Sequence, residues 1–347
     1  MVVTGASGNV GTALVEALAS SPEVTSVTGV CRRRHGWRPA GVDWSWGDVS
    51  TMALEPVLEG ADAVVHLAWL FHPMRRAEVT WQSNVVGSAR VFAAAAKVGV
   101  PALVHASSVG AYSSRVDLLP VSESWPTDSV PQAAYSWEKA YVERLLDRHE
   151  LDHPQQRVVR LRPAFTFRAE AAEQQRRLFL GPFLTRRLLR PGRLPVLPLP
   201  SSLRLQAIHT SDAAAAYLAA VTTDVAGAFN VAATPVLGPP ELGEILRARP
   251  WHVPSEALRA ATSAAFRARM IPTAPELFDL LMRVPVMSTE RARRELRWRA
   301  TTTAEDAVRA FLEAPADLAT PPTPPLSPAT SGPGRAHELA TGVGHRP

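Results

Sequence analysis

From the first residue to about position 161, short runs of β-branched and aliphatic residues alternate with longer alanine- and leucine-rich segments. The short runs, 1–4, 24–31, 42–46, 63–67, 102–106 and 157–161, read as strands. The longer ones, 10–19, 52–58, 79–98 and 135–149, repeat their apolar residues at helical spacing and read as helices. Strand, helix and strand in regular succession predict an α/β fold with an open, doubly wound parallel sheet.

Past Pro163 the alternation stops. Residues 180–203 are interrupted by Pro182, Pro191, Pro195, Pro198 and Pro200, which break regular elements, and this stretch reads as a substrate-facing lobe. A strand at 206–210, a helix at 211–221 and a strand at 227–232 follow, and then helices return. From about 315 to 347 the chain is rich in Pro, Thr, Ser, Ala and Gly without a period, the composition of a disordered tail. The expected organisation is a nucleotide-binding domain over 1–162, a smaller C-terminal lobe over 163–314 with segments returning to the first domain, and the tail over 315–347.

Composition narrows the class. Hydrophobic residues at 46% and charged residues at 20% supply a core, and no apolar run approaches a membrane span. The single cysteine, Cys31, excludes an internal disulfide, and nothing ahead of the first glycines resembles an export signal, so the reading is a soluble, cytoplasmic protein. The net charge of +5 raises the question of nucleic acid, yet only Lys97 and Lys139 are lysines. The arginines are scattered among glutamates, as on a solvated surface, and no nucleic-acid or membrane partner is expected.

The first candidate for chemistry is Thr4-Gly5-Ala6-Ser7-Gly8-Asn9-Val10-Gly11, set between a strand and a helix. A dinucleotide needs such a turn: Gly5 permits the bend, Gly8 lets the backbone approach a pyrophosphate, and Gly11 lets helix pack on strand. The N–H groups opening the helix, from Ser7, Asn9 and Val10 onward, face negative charge. This is a Rossmann-type arrangement. Only Met1, Val2 and Val3 precede the turn, short for a central strand, so either the strand is clipped or the start lies upstream. On the second alternative an upstream extension raises the melting temperature. At the end of the second strand, where an acidic residue grips the adenosine ribose of NAD, stands Cys31; Arg32 and Arg33 after it suit a 2′-phosphate, which favours NADP over NAD.

The second candidate is Tyr135-Ser136-Trp137-Glu138-Lys139, opening a helix with Tyr135 and Lys139 four apart on one face. An ammonium beside a phenol is expected to lower its pKa, so that Tyr135 exchanges a proton with a substrate oxygen while a hydride moves. Lys139 also suits a hydrogen bond to the nicotinamide ribose. With four tyrosines and two lysines in the chain, chance pairing at this spacing is rare. Ser108, after the fifth strand, sits where a hydroxyl polarises the substrate oxygen. Asn84 either supports the site through water or backbone contacts or is a buried, satisfied amide.

In combination these residues resemble the extended short-chain dehydrogenase/reductase family, also called the NAD-dependent epimerase/dehydratase family. The likeness runs from Met1 to about Leu312 and is carried by the glycine loop, Asp48-Val49, His66-Leu67-Ala68, Asn84-Val85-Val86-Gly87, Ser107-Ser108, Tyr135 with Lys139, Arg162-Pro163, Ile208 to Asp212, and Arg294 to Trp298. The resemblance implies a catalytic trio of Ser108, Tyr135 and Lys139. It also implies adenine contacts at Asp48 and Val49, cofactor contacts at Leu67, Ala68, Asn84 and Ser107, and a loop beside the nicotinamide from Pro163. His209 and Asp212 look like the family's structural junction; a metal pair there is a poor reading because no further ligands cluster with them. No metal is expected, and family members often pair as homodimers through the helices holding Asn84 and Tyr135.

Departures from the family narrow the reaction. Its sugar dehydratases place acidic residues after the catalytic serine or threonine, whereas Val109 and Gly110 follow Ser108 here. Its nucleotide-sugar epimerases set a phosphate-holding arginine at the position of Leu205, with Arg204 one step away. The expected function is an NAD(P)-dependent reductase or dehydrogenase acting on a small carbonyl or alcohol compound. The alternatives are a nucleotide-sugar epimerase with transient oxidation and a dinucleotide-binding sensor without turnover.

Overall fold

Pairs of neighbouring apolar residues along the central strands point to opposite sides, and both sides are covered. Val3, Val65, Val104 and Val159 enter one core, while Val2, Val64, Leu103 and Val158 enter another. Strands buried on both faces in this way belong to a parallel sheet sandwiched by helices. The computed structural model describes residues 1–71, 77–180, 190–268, 270–271, 273–315 and 318–326.

The strands are β1 (Val2–Thr4), β2 (Val27–Cys31), β3 (Val42–Trp46), β4 (Ala63–His66), β5 (Ala102–Ala106), β6 (Arg157–Pro163), β7 (Phe165–Phe167), β8 (Val196–Leu199), β9 (Ala207–His209), β10 (Gly227–Val231) and β11 (Arg249–His252). Seven of them form the central sheet in the order β10-β6-β5-β4-β1-β2-β3, and every pairing in it is parallel. β1 is central: Val3 stands opposite Gly29 of β2 on one side and Val65 of β4 on the other. The chain order reverses across the β1 and β4 pair, which opens a crevice at the carboxyl ends of the strands, the place where ligands of such sheets bind.

Helix α1 (Asn9–Ala19) covers one face, and α2 (Glu55–Leu58), α3 (Ala77–Trp81), α4 (Gly87–Lys97) and α5 (Ala134–Asp152) follow in chain order. The helix expected over 79–98 is not continuous. A π-helical segment, Gln82–Val86, joins α3 to α4 and is bonded i to i+5 where it presents Asn84 inward. Helix α2 starts three residues later than expected, at Glu55, with Pro56 in its first turn. β2 likewise begins at Val27 rather than at 24.

The C-terminal part adds α6 (Ala172–Leu180), α7 (Thr210–Thr222), α8 (Pro239–Leu246), α9 (Ser255–Arg267), α10 (Pro275–Arg283), α11 (Glu290–Glu295) and α12 (Ala304–Leu312). α7 packs on α1, and β10 extends the main sheet, so this part returns to the first domain. Two small parallel pairs, β8 with β11 and β7 with β9, build the rest. In the proline-broken stretch, 196–199 forms β8, while 181–189 lies outside the described residues. Within the segment read as a tail, 318–326 carries turns and buries Thr323 and Leu326; 327–347 lies outside the described residues.

Candidate active site

The loop after β1 is as tight as its glycines require. Gly5 has φ +72°, and a Cβ there would lie 2.7 Å from the backbone N of Ala68, in the loop that follows β4. A Cβ on Gly11 would lie 2.2 Å from the carbonyl oxygen of Gly5, so only glycine allows α1 to start against this turn. Gly8 is the N-cap of α1 and its N–H donates to Gly5 O at 3.0 Å. No side chain caps the helix. Its opening N–H groups, lacking a preceding turn, are left for an anion. Asn9 accepts through Oδ1 from Thr210 Oγ1 at 3.2 Å, and Thr12 accepts from Arg168 at 2.6 Å, so the loop is braced by the C-terminal part. A dinucleotide's pyrophosphate fits this cradle.

Cys31 ends β2 and is buried; its neutral thiol is pushed up to about 11 by burial, against a hydrogen bond from Ser7 and the nearby Arg38. Arg32 and Arg33 are partly buried beside it. Asp48 turns its carboxylate back onto its own loop, accepting from Ser50 N at 3.0 Å and Ser50 Oγ at 2.6 Å, and Val49 is buried against Gly87. Leu67 N donates to Thr4 O at 3.0 Å and Ala68 N to Thr4 Oγ1 at 3.4 Å, which draws the loop after β4 over the glycine turn.

Ser108 and Tyr135 meet at the carboxyl end of β5. Ser108 Oγ accepts from Gly110 N at 3.0 Å, and a Cβ on Gly110 would lie 2.8 Å from the Tyr135 ring, so Gly110 is the residue that lets the two elements close. Ser136 fixes the start of α5, donating to Gly110 O at 2.5 Å and accepting from Val130 N at 2.7 Å. Trp69 and Phe71 stand edge-on to the Tyr135 ring, at 6.1 and 4.9 Å between centroids.

Lys139 is buried one turn further along, with Nζ donating to Ala106 O at 2.6 Å and lying 6.0 Å from the centre of the Tyr135 ring. The expectation that this ammonium lowers the phenol's pKa needs correction. Burial pushes the Tyr135 phenol up to about 12, a hydrogen bond with Ser108 opposes the rise, and Glu138 adds to it. Lys139 itself is pushed down to about 7 by burial, with Glu138 and Glu143 working the other way. In the protein alone Tyr135 is therefore a held proton donor, and Lys139 is the group poised near neutrality.

Two cofactor-side expectations resolve into supports. Asn84 is fully buried, and its amide is spent on the Leu70 backbone, N (2.6 Å) and O (3.1 Å), and on Glu138 Oε2 (2.7 Å), so it is a buried, satisfied amide that also holds the loop after β4 through backbone contacts. Ser107 turns its hydroxyl inward to Glu143 Oε1 at 2.5 Å rather than toward the crevice. Glu143, fully buried, is paired with Arg162 at 2.9 Å and Arg160 at 3.0 Å. Pro163 closes β6 at the crevice edge, opposite Val231 of β10. Asp212 is a junction: it accepts from Thr301 N and Oγ1 and from Thr302 N at 2.6 to 3.0 Å.

Residues 1–232, which hold the glycine cradle and the Ser108, Tyr135 and Lys139 group, match the model of the NAD dependent epimerase/dehydratase family. The chain belongs to the NAD-dependent epimerase/dehydratase family. Among curated members, the L-arabinose 1-dehydrogenase (NAD(P)(+)) of Haloferax volcanii is 39% identical over 108 residues, 31% of this chain and 40% of that one. The chain thus matches less than half the length of that relative. Among solved structures, the fold is shared with the UDP-glucose 4-epimerase of Thermotoga maritima bound to UDP-glucose, at TM-score 0.66 and 16% identity over 90% of this chain and 97% of that one. It is shared equally with the UDP-glucuronic acid 4-epimerase of Bacillus cereus in complex with NAD, at TM-score 0.65 and 14% identity over 90% and 97%. At such identities the likeness is one of fold.

Within this family member, sequence reasoning missed Trp69, Glu138 and Glu143. Glu138 and Glu143 lie on the same helix as Tyr135 and carried a legible signal: carboxylates at helical positions that also face the core. Trp69 carried none, since only the folded loop brings it to Lys139.

Proposed function

We propose that the protein is an NAD(P)-dependent reductase or dehydrogenase acting on a small carbonyl or alcohol compound. The observation that supports this most is the convergence of Ser108, Tyr135 and Lys139 at the carboxyl end of β5, beside the glycine cradle. A bound nicotinamide supplies or accepts the hydride. Tyr135, protonated at neutral pH, gives its proton to the developing alkoxide in reduction, and Ser108 polarises the same oxygen. Lys139 holds the ribose.

The nucleotide-sugar alternative has less support. Leu205, at the position of the expected arginine, packs in the small C-terminal core, and Arg204 Nη1 is taken up by Ser201 O at 3.0 Å and Leu203 O at 2.7 Å. NADPH oxidation measured across ketones, aldehydes and nucleotide sugars tests both readings. Net consumption on a carbonyl supports the first, while conversion of a nucleotide sugar without net consumption replaces it. With Tyr135→Phe, turnover on the substrate found drops about 10²- to 10⁴-fold; unchanged turnover leaves a binding protein without chemistry.

We also propose that NADP is preferred. A neutral Cys31 thiol followed by Arg32 and Arg33 suits a 2′-phosphate better than a free ribose hydroxyl pair. Tighter NADPH than NADH binding is expected, with Cys31→Asp reversing the order. A homodimer is proposed on the aromatic patch where Trp137 and Tyr141 of α5 lie exposed against Trp81 of α3, and sedimentation of the full chain tests it.

A further inference from the structure

Lys139 is gripped on two sides. Its Nζ donates to Ala106 O at 2.6 Å and lies only 3.3 Å from the centre of the Trp69 ring. An ammonium has three donors on a long, loose stem. The carbonyl takes one donor, and the ring face attracts the positive charge without consuming a hydrogen bond. What remains is a donor whose direction is set by the other two contacts.

The ring is itself held in place. Leu70, next to Trp69, is bonded through both its N–H and its C=O to the Asn84 amide, and Asn84 is bonded to Glu138, the residue before Lys139. The loop that carries the ring and the helix that carries the ammonium are thus tied together one residue away from their contact. The indole Nε1 is buried and makes no hydrogen bond among the described residues, so the ring is held by contacts rather than by a polar anchor: the ammonium on its face, the Tyr135 ring edge-on at 6.1 Å, and the apolar cluster it packs against.

We propose that Trp69 is a positioning residue for Lys139, its ring fixing the ammonium so that the remaining donor is presented to the ribose of a bound dinucleotide. This rests on the dinucleotide-binding reading above. Trp69 acts through Lys139 and takes no part in the proton transfer at Tyr135.

The test is a double-mutant cycle on the full chain, read as the Kd for NADPH and NADH, with melting temperature as the check on folding. Trp69→Leu weakens binding about tenfold, the scale of a desolvated cation–π contact, and Trp69→Phe, which keeps a ring, restores it to within about threefold. In a Lys139→Met background the same Trp69→Leu change shifts Kd less than about twofold, because the group it acts through is gone. Equal effects in the two backgrounds overturn the positioning role, as does tighter binding in Trp69→Leu, which would make the ring a plug. Failure of the unaltered chain to bind either dinucleotide overturns the underlying reading instead, so the two failures are distinguishable.

Discussion

Asn84 donates to Glu138 at 2.7 Å across the boundary between the π-helical segment and α5, and both side chains are buried. Thr80 Oγ1 donates to the second oxygen of the same carboxylate at 2.5 Å. Burial raises the Glu138 pKa, and the bonds from Thr80 and Asn84 and the nearby Lys139 oppose the rise. The π turn has a function in this geometry: the extra residue it accommodates swings Asn84 inward, where its amide spans α5 and the loop after β4.

Asn84→Ala removes three hydrogen bonds at once and leaves one buried Glu138 oxygen, and the half-buried Leu70 N and O, without that partner. A loss of about 3 kcal/mol is expected from the desolvated groups left behind. Urea unfolding measures it. A loss below about 0.5 kcal/mol, the size of an ordinary surface change, shows that the amide bears no structural load.

Lys139 makes stability depend on pH in a definite direction. Its pKa falls from 10.5 in the unfolded chain to about 7 in the fold. Between those values the unfolded state binds the extra proton, so stability rises with pH across that window and the penalty is complete below about 7. Lys139→Met removes the titrating group. The melting temperature of the variant minus that of the unaltered protein, measured without dinucleotide, is therefore largest at acid pH and shrinks steadily toward pH 10. A difference that does not change with pH refutes the depressed pKa.

Much of this was legible beforehand, for physical reasons that differ by region. β3 and β5 were readable to the residue because β3 alternates apolar and polar residues at the two-residue strand period and β5 is a short, nearly apolar run ended by serines. The glycine turn and the Tyr135 and Lys139 pair were readable because covalent spacing alone dictates their geometry. The π turn was not, since a one-residue bulge leaves the apolar period almost intact over 79–98. The direction of the Tyr135 shift was not either, because burial decided it and burial is a property of the packed site. The inward turn of Ser107 likewise depends on Glu143, which lies 36 positions away in the chain.

That carboxylate makes stability depend on pH on the acid side. Burial alone would raise the Glu143 pKa, yet the hydrogen bond and charge of Arg162, with Arg160 and Ser107, hold it down to about 2. The sign is opposite to that of Lys139. The stabilisation is complete above the ordinary value of 4.5 and is lost as pH falls from there toward 2. Glu143→Gln takes the carboxylate from buried Arg162, while Arg160 keeps Asp147 at 2.6 Å and Glu150 at 2.5 Å, with an expected cost of about 3–5 kcal/mol at neutral pH. The melting temperature of the variant also varies less between pH 5 and pH 3 than that of the unaltered protein, and an equal slope in both contradicts the assignment.

Gly11 and Gly8 give contrasting tests of the cradle. At Gly11 an added Cβ meets three backbone atoms, at 2.2 Å from Gly5 O and 2.8 Å from Ala6 C and Cα, and none of them can rotate away. Gly11→Ala must push α1 off the turn, at a cost of about 1–3 kcal/mol for the overpacking. The displaced helix start also carries the N–H groups that would face the pyrophosphate on the proposed reading, so dinucleotide Kd is expected to rise together with the loss of stability. At Gly8 the nearest atom to an added Cβ is Gly5 O at 3.2 Å, and the backbone is one that alanine adopts. Gly8→Ala, whose Cβ needs Gly5 O to give by only a few tenths of an ångström, is expected to cost much less stability than Gly11→Ala while weakening dinucleotide binding, because the added methyl would stand where the pyrophosphate approaches on the proposed reading. Thermal melts and dinucleotide titrations of the two variants separate packing from ligand approach. Equal loss of stability in both variants breaks the distinction.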